Sequence, residues 1–337
     1  MIFFLFNVLP GDPAQMMLGQ NEDSEQLAIV KHKFGFDKPI RIQYFYYLND
    51  LSPISVHSNN PEDYTFLRAQ KYSASNLFSI GTTTVVIKYP YLRESFAKQG
   101  KKVSQVLSET LPNTFVLAVS AIVIAMLLGA FLGIVSALNK DKFIDKAIQI
   151  LSTVGMSIPS FFSAILFAWL FGYVFHKYTN LEMTGSFYEL DDFGEEMHIK
   201  WKNLILPAIV LGIRPLAVVI QLMRNSLLEV FNQDYIRTAR AKGLSEFQII
   251  KKHAIKNALN PVVTAISGWF ASMLAGAVFV EYIFGWNGLG KEIVNALNTL
   301  DLPVIMGSVL VIALLFIIIN IFVDIIYAWL DPKVKLE

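Results

Sequence analysis

The chain has 337 residues, 54% of them hydrophobic and only 16% charged, with a mean hydropathy of +0.48 and a formal net charge of +1. So apolar a composition needs lipid as part of its solvent, and the near-zero charge removes the clustered basic excess on which nucleic-acid binding depends. The lack of cysteine excludes disulfides, thiolate nucleophiles, cysteine-ligated zinc and iron–sulfur clusters.

Residues 1–9 are apolar but too few to span a bilayer, and they lack the basic start of a signal peptide. They read as the end of a first, truncated transmembrane helix, stopped by Pro10, Gly11 and Pro13. The mixed polar segment 10–103 is expected to be extracytoplasmic. Within it Phe34 to Pro39 has turn composition, and Ile40 to Leu51 carries aromatics at helical spacing, which ordinary packing explains. Charge-poor runs then mark spans at about 114–138, 147–175, 204–223, 262–284 and 304–330, with Arg214 inside the third and Asp324 inside the last. Gly129 and Gly133 form a small-xxx-small pattern suited to close helix contact. The fold expected is an all-α polytopic membrane protein of about six helices, the first one truncated, with an extracytoplasmic loop region.

Lys140, Lys142 and Lys146, and the bases Arg224, Arg237, Arg240, Lys242, Lys251, Lys252 and Lys256 of the loop 224–261, place those loops in the cytoplasm. The loop between them carries Glu182, Glu189, Asp191, Asp192, Glu195 and Glu196 and falls outside. Lys333 and Lys335 return the C-terminus to the cytoplasm.

Gly285 to Glu292 satisfies G-x-x-x-x-G-K, but Glu292 stands where a phosphate loop needs a hydroxyl for magnesium, and its carboxylate would repel phosphate. The run also follows an expected membrane helix rather than a strand. A glycine-rich re-entrant turn near the outer mouth of a pathway is the better reading, with Glu281, Asn287, Gly288 and Gly290 as pathway or gate candidates. No G-x-S-x-G or H-E-x-x-H occurs, and His32, His57, His176, His198 and His253 are scattered over loops, so no catalytic or metal-ligating residue is assigned.

In the long basic loop Asn232 is positioned to N-cap a helix that starts with Asp234, Gly243 and Leu244 are positioned as C′ and C″ of a glycine cap, and Ser245 to Gln248 forms a capping box. The product is helix, sharp turn, helix. A solvated basic loop would satisfy the charge rule alone, but two caps around one glycine favour a docking element.

This stretch, Asp234-Tyr235-Ile236-Arg237-Thr238-Ala239-Arg240-Ala241-Lys242-Gly243-Leu244, resembles the cytoplasmic coupling loop of dipeptide and oligopeptide permease subunits of ABC importers. The resemblance continues in His253 to Val263, in Val280 to Phe284 with Gly288-Leu289-Gly290, in Asp324 through Asp331-Pro332, in Leu9 to Pro13 and in Asp37 to Tyr44, nearly end to end. Arg237-Thr238-Ala239 stands where importers in general carry E-A-A, and residues 53–89 match nothing in the family pattern. The resemblance implies a type I importer transmembrane domain over 104–332, a second homologous permease subunit, two cytoplasmic ATP-binding subunits and an extracytoplasmic substrate-binding protein. It further implies a multi-pass cytoplasmic-membrane location, no cofactor, ATP hydrolysis on the partners, and peptides or a related solute such as nickel as cargo. Ala239 is expected against an ATPase subunit with Gly243 as pivot. Arg214, costly in lipid, is expected to face the bundle interior, where its fork suits a peptide carboxylate. An ion-gradient-driven secondary transporter is the alternative, and it would call for paired mid-membrane acids and two related halves.

Overall fold

A computed structural model describes residues 3–4, 14, 24–69, 71–190 and 196–330. The turn at Leu9 to Pro13, the acids Asp191, Asp192 and Glu195, and the C-terminal Asp331-Pro332, Lys333 and Lys335 lie outside the described residues. Contacts divide the chain into two units, 1–109 with 293–311, and 110–292 with 312–337.

The first unit begins with α1 (Ser24–Phe34) and α2 (Ile40–Leu51). The expected turn between them is present, with Gly35 in the left-handed region at φ +70° and Pro39 just ahead of α2. Residues 53–89, which the sequence left unassigned, fold as an antiparallel sheet of β1 (Ile54–Ser58), β2 (Ala74–Ile80) and β3 (Thr83–Lys88) in the order β1-β3-β2. Ile54 pairs with Ile87 and Ala74 with Lys88, and a bulge separates Asn76 from Phe78. Alternation sets the faces: Ser55 and His57 on β1 and Thr84, Val86 and Lys88 on β3 turn inward, while Ile54, Val56 and Ile87 stay exposed. The same unit receives residues 293–311, where buried Asp301 accepts Phe96 N–H at 3.0 Å, Ala97 N–H at 3.2 Å and the Ser95 hydroxyl.

The second unit is helical. Its elements are α3 (Val103–Leu138, which begins in the first unit), α4 (Phe143–Ser157), α5 (Ser160–Phe167, extended by a π turn over Ala168–Val174), α6 (His176–Thr179), a hairpin of β4 (Tyr188–Leu190) and β5 (Met197–Ile199), and α7 (Trp201–Val230). Then come α8 (Asp234–Ala241), α9 (Glu246–Ile249), a π turn (Ile250–Ala254), α10 (Ile255–Gly276), α11 (Val278–Phe284), α12 (Leu289–Asn298) and α13 (Leu302–Leu330).

Among the described residues α3, α7 and α13 are long and apolar enough to cross a membrane, and the pair α4 with α5 adds a fourth crossing if counted together. The expected span at 147–175 is therefore not one straight helix. It bends by 109° at Ile158-Pro159, where proline has no N–H to continue the ladder and its ring holds Ile158 extended at ψ 130°. The expected span at 262–284 is divided as well, α10 ending at Gly276 and α11 starting at Val278. At 36 residues α3 is about 54 Å long at ~1.5 Å per residue, so it outruns a ~30 Å hydrocarbon layer and extends beyond the expected start at residue 114.

The glycine pair does what its spacing predicts. A Cβ on Gly129 would lie 2.7 Å from Val219, and one on Gly133 2.7 Å from Met223, so α3 and α7 meet at a distance no larger residue permits. Two apolar clusters fill the unit. One joins Leu117, Ala121, Leu206, Leu211, Phe284 and Trp286, and the other joins Ala137, Met223, Leu227, Ile236, Ala239, Ile249 and Ala258.

Candidate functional site

The helix–turn–helix of the basic loop is built as its residues require. Gly243 takes φ +77°, its N–H donates to Arg240 O at 2.9 Å, and Leu244 N–H donates to Ala239 O at 3.3 Å, the paired bonds of a Schellman cap. Ser245 Oγ then accepts from Gln248 N while Gln248 Oε1 accepts from Ser245 N, closing the expected capping box. Arg240 Nε donates to Glu246 Oε1 at 3.0 Å across the turn. The N-terminal cap differs from expectation: Gln233 holds that position without a side-chain bond, and the Asn232 amide turns back to Leu228 O at 3.0 Å because α7 runs on to Val230.

One face of α8 is buried in its own chain. Ile236 and Ala239 lie in the cluster with Leu227, Ile249 and Ala258, so Ala239, expected against another subunit, packs instead on α7, α9 and α10. The opposite face carries Asp234, Tyr235, Arg237, Thr238, Arg240, Ala241 and Lys242, all exposed, with Phe247 of α9 71% exposed beside them. A charged surface with an aromatic at its edge, held on an apolar base, can seat in a polar cleft of another protein and pass displacement to α7 and α10.

The phosphate-loop lookalike closes on itself. Gly285, at φ +69°, ends α11, and α12 begins at Leu289. The N–H groups of Gly290 and Lys291, which would have to cradle phosphate, donate to Glu281 Oε2 at 2.7 and 3.2 Å. Lys291 Nζ is turned onto Gly285 O at 3.0 Å and Asn287 Oδ1 at 2.8 Å. Glu281 is fully buried, and a Cβ on Gly288 would overlap its carboxyl, so the carboxylate takes the place an anion would need. Trp286 Nε1 donates to Asn113 O at 3.0 Å and Asn113 Nδ2 to Asn287 O at 2.8 Å, anchoring the turn on α3. Glu281, Gly288 and Gly290 are thereby brought into one packed turn, while the Asn287 side chain faces out.

Arg214 is exposed and lines a cleft of about 90 Å³ with Gly155, Ser160, Ser163 and Trp269, facing the α4–α5 bend. No carboxylate among the described residues pairs with it. Arg224, assigned by sequence to the cytoplasmic loop 224–261, is instead a helical residue of α7: its Nε and Nη2 meet Asp145 Oδ1 and Oδ2 at 2.8 and 2.7 Å, and Ser136 Oγ donates to the same carboxylate at 2.6 Å. The separation of 79 positions along the chain hid this bidentate pair from any local pattern.

The sequence also gave no sign of the polar hub in the first unit. Asp50, 1% exposed at the end of α2, accepts from Tyr64 Oη at 2.9 Å, Tyr72 Oη at 2.7 Å and Arg93 Nε at 3.0 Å. Burial raises the pKa of Tyr64 and Tyr72, so both phenols remain donors. His57, fully buried with Nδ1 2.8 Å from Thr65 O and Nε2 2.9 Å from Ser55 Oγ, has its pKa lowered by burial first. Asp50 is satisfied on three sides, and the hub stitches α2 to strand and loop residues up to 43 positions away.

Residues 129–336 match the family described as the inner membrane component of binding-protein-dependent transport systems, and residues 1–60 match its N-terminal membrane-component region. The chain is 32% identical over 346 residues to a dipeptide transport system permease of Alkalihalophilus pseudofirmus (99% of this chain, 93% of that protein). It is 33% identical over 335 residues to the one of Bacillus subtilis (99% and 92%) and 31% identical over 348 residues to a di/tripeptide transport system permease of Pseudomonas aeruginosa (99% and 92%). Two inward-facing crystal forms of the methionine ABC transporter MetNI contain chains of the same fold. One superposes with a TM-score of 0.54 at 15% identity, over 67% of this chain and 97% of that one, and the other with 0.51 at 14%, over 68% and 97%. With a match over more than half its length and relatives above 30% identity across nearly all of it, the chain belongs to the inner membrane components of binding-protein-dependent transport systems, as a membrane transport subunit and not an enzyme.

Proposed function

We propose that this chain is the permease subunit of an ATP-driven peptide importer, with α8 as the helix through which ATPase closure reaches the membrane helices. The observation that carries the reading is the construction of α8: an exposed charged face, Tyr235 to Lys242, on a base buried among α7, α9 and α10 and fixed at its far end by the Gly243 cap. A chain without a nucleotide site is driven by ATP only through contact with another protein, and α8 is a rigid surface fit for that contact. Two cytoplasmic ATP-binding subunits, a second permease subunit and an extracytoplasmic binding protein complete the system in this reading. The loop 224–261 then lies in the cytoplasm with the C-terminus, and the segment 10–103 lies outside. Arg214 serves as a pathway cation for the peptide carboxylate, and the Glu281 to Lys291 turn stands at the outer end of the path. The peptide specificity follows the three permease relatives.

Reconstitution in proteoliposomes tests this. The predicted result is uptake of a radiolabelled dipeptide that needs interior ATP and the binding protein. Uptake that runs on a proton or sodium gradient without ATP would replace the importer with the secondary transporter.

A further inference from the structure

The first unit contains a cavity of about 290 Å³, bordering the Asp50 hub at Tyr64 and Arg93, whose walls carry charge of both signs over aromatic surface: Arg68 and Lys71, Glu62 and Glu94, Phe34 and Tyr91. Lys71 is its distinctive group. Its Nζ lies 3.6 Å from the centre of the Tyr64 ring, 4.8 Å from that of Tyr72 and 5.5 Å from that of Tyr91, a cage of three aromatic rings around one ammonium. The ammonium's one hydrogen bond among the described residues is to Tyr64 O at 3.4 Å, and no carboxylate lies within ion-pair distance of it. A buried cation normally acquires a paired anion, because desolvating an uncompensated charge is costly. Arg93, which also lines the cavity, has its anion in Asp50; Lys71 has none among the described residues.

We infer that this cavity binds a short zwitterionic peptide, with its C-terminal carboxylate on Lys71 and Arg68 and its ammonium on the acidic lining of Glu62 and Glu94. Three observations converge. The cation lacking a carboxylate partner and facing the cavity needs an anion, Glu62 and Glu94 of the same lining supply carboxylates for a cation, and the volume sits near the ~300 Å³ lower end of small-molecule sites, which suits one or two residues rather than a long chain. Burial holds the Lys71 pKa down at about 8, with Arg93 and Arg68 adding to the depression against Asp50 and Glu94, so a bound carboxylate would restore the charged form. The choice of a peptide among zwitterions rests on the importer reading. The geometry itself calls for the two charges. Such a site would let the extracytoplasmic part of the permease hold cargo itself, beside whatever the binding protein delivers.

The test is calorimetry and amine footprinting on the full chain in lipid nanodiscs at pH 7.5, with dialanine, alanine and N-acetyl-dialanine amide as probes. Dialanine should bind and protect Lys71 from acylation, and the doubly capped peptide should bind at least about tenfold more weakly, since a charge-assisted contact is worth roughly that factor or more. Lys71→Met and the exposed Arg68→Gln should each weaken dialanine by a similar factor, with the Arg68 variant serving if the Lys71 variant misfolds. Equal affinity for free and capped peptide, unchanged binding in both variants, or no binding and no protection would overturn the site. Alanine binding as tightly as dialanine would overturn the peptide assignment. Uptake by the reconstituted importer separates the two levels: dialanine transport without binding here removes this site and leaves the importer standing, whereas binding without transport supports the site and removes the importer reading.

Discussion

Gly243→Val is the substitution whose energetics are cleanest. Gly243 holds φ +77°, and a Cβ built on it meets nothing within 4 Å, so no steric clash contributes and the whole penalty is backbone. A side chain in the left-handed region costs roughly 1–2 kcal/mol, more for a β-branched residue. A penalty of ~2 kcal/mol shifts the capped turn by about thirtyfold in population, enough to release the bonds from Gly243 N to Arg240 O and from Leu244 N to Ala239 O. The second helix would then no longer be held at a fixed angle to α8, while the membrane helices keep their packing. The assay is ATP hydrolysis and dipeptide uptake measured together on reconstituted importer. The expected outcome for Gly243→Val is hydrolysis retained with uptake reduced severalfold or more, and for Gly243→Asn, which tolerates the left-handed region, near-normal coupling. Equal behaviour of the Val and Asn variants, both coupled, would refute the argument that the cap transmits force.

Removing the Arg224 side chain in Arg224→Ala leaves Asp145 buried with only Ser136 and the Asp141 N–H as partners, and should cost about 3–5 kcal/mol, read as a lowered thermal unfolding midpoint in detergent that Asp145→Asn partly restores in the double variant. Arg214→Gln should leave assembly and stability unchanged but lower uptake of peptides relative to amidated ones, by roughly tenfold, in a competition assay. Lys71, with a folded-state pKa of about 8 below its ordinary 10.5, holds fewer protons folded than unfolded between those values. Its burial therefore opposes folding fully below pH 8 and less as pH rises toward 10; unfolding of the first unit should become harder over that window, and Lys71→Met should flatten the profile.

Local chemistry was legible and remote pairing was not. The Schellman glycine at 243, the capping box at Ser245 and the close contact of Gly129 and Gly133 are each set by a few residues with strong conformational preferences, and each is present as read. The rejection of the Gly285 to Glu292 run as a nucleotide site rested on Glu292 in the hydroxyl's place and on a preceding helix where a strand is needed, and the N–H groups of Gly290 and Lys291 are occupied by Glu281. What composition hid depends on partners far along the chain. The Asp50 hub gathers Tyr64, Tyr72 and Arg93, Asp145 meets Arg224, and Asp301 caps the loop at Ser95 to Ala97. The sheet at 54–88 was missed because its strands are short and its inward face carries the polar Ser55, His57, Thr84 and Lys88 while Ile54, Val56 and Ile87 face out, which inverts the alternation that marks a strand. Ala239 was expected against an ATPase subunit from the place of the loop in the coupling-loop resemblance, yet it is buried in its own chain. The 3.6-residue period that sets Ile236 and Ala239 on one face would have turned it inward.

The central claim is that α8 presents its exposed face to an ATPase subunit. The chain has no cysteine, so a single one at the exposed Ala241 reports that position alone. In membranes holding the assembled system, Ala241→Cys labelled with a short maleimide–benzophenone reagent and irradiated, so that the second bond forms at any neighbouring C–H, should yield one crosslinked species containing an ATP-binding subunit, with a yield that changes when ATP is bound. A crosslink that forms only with extracytoplasmic proteins, or none with the ATPase in an assembly that still hydrolyses ATP and transports, would contradict the account.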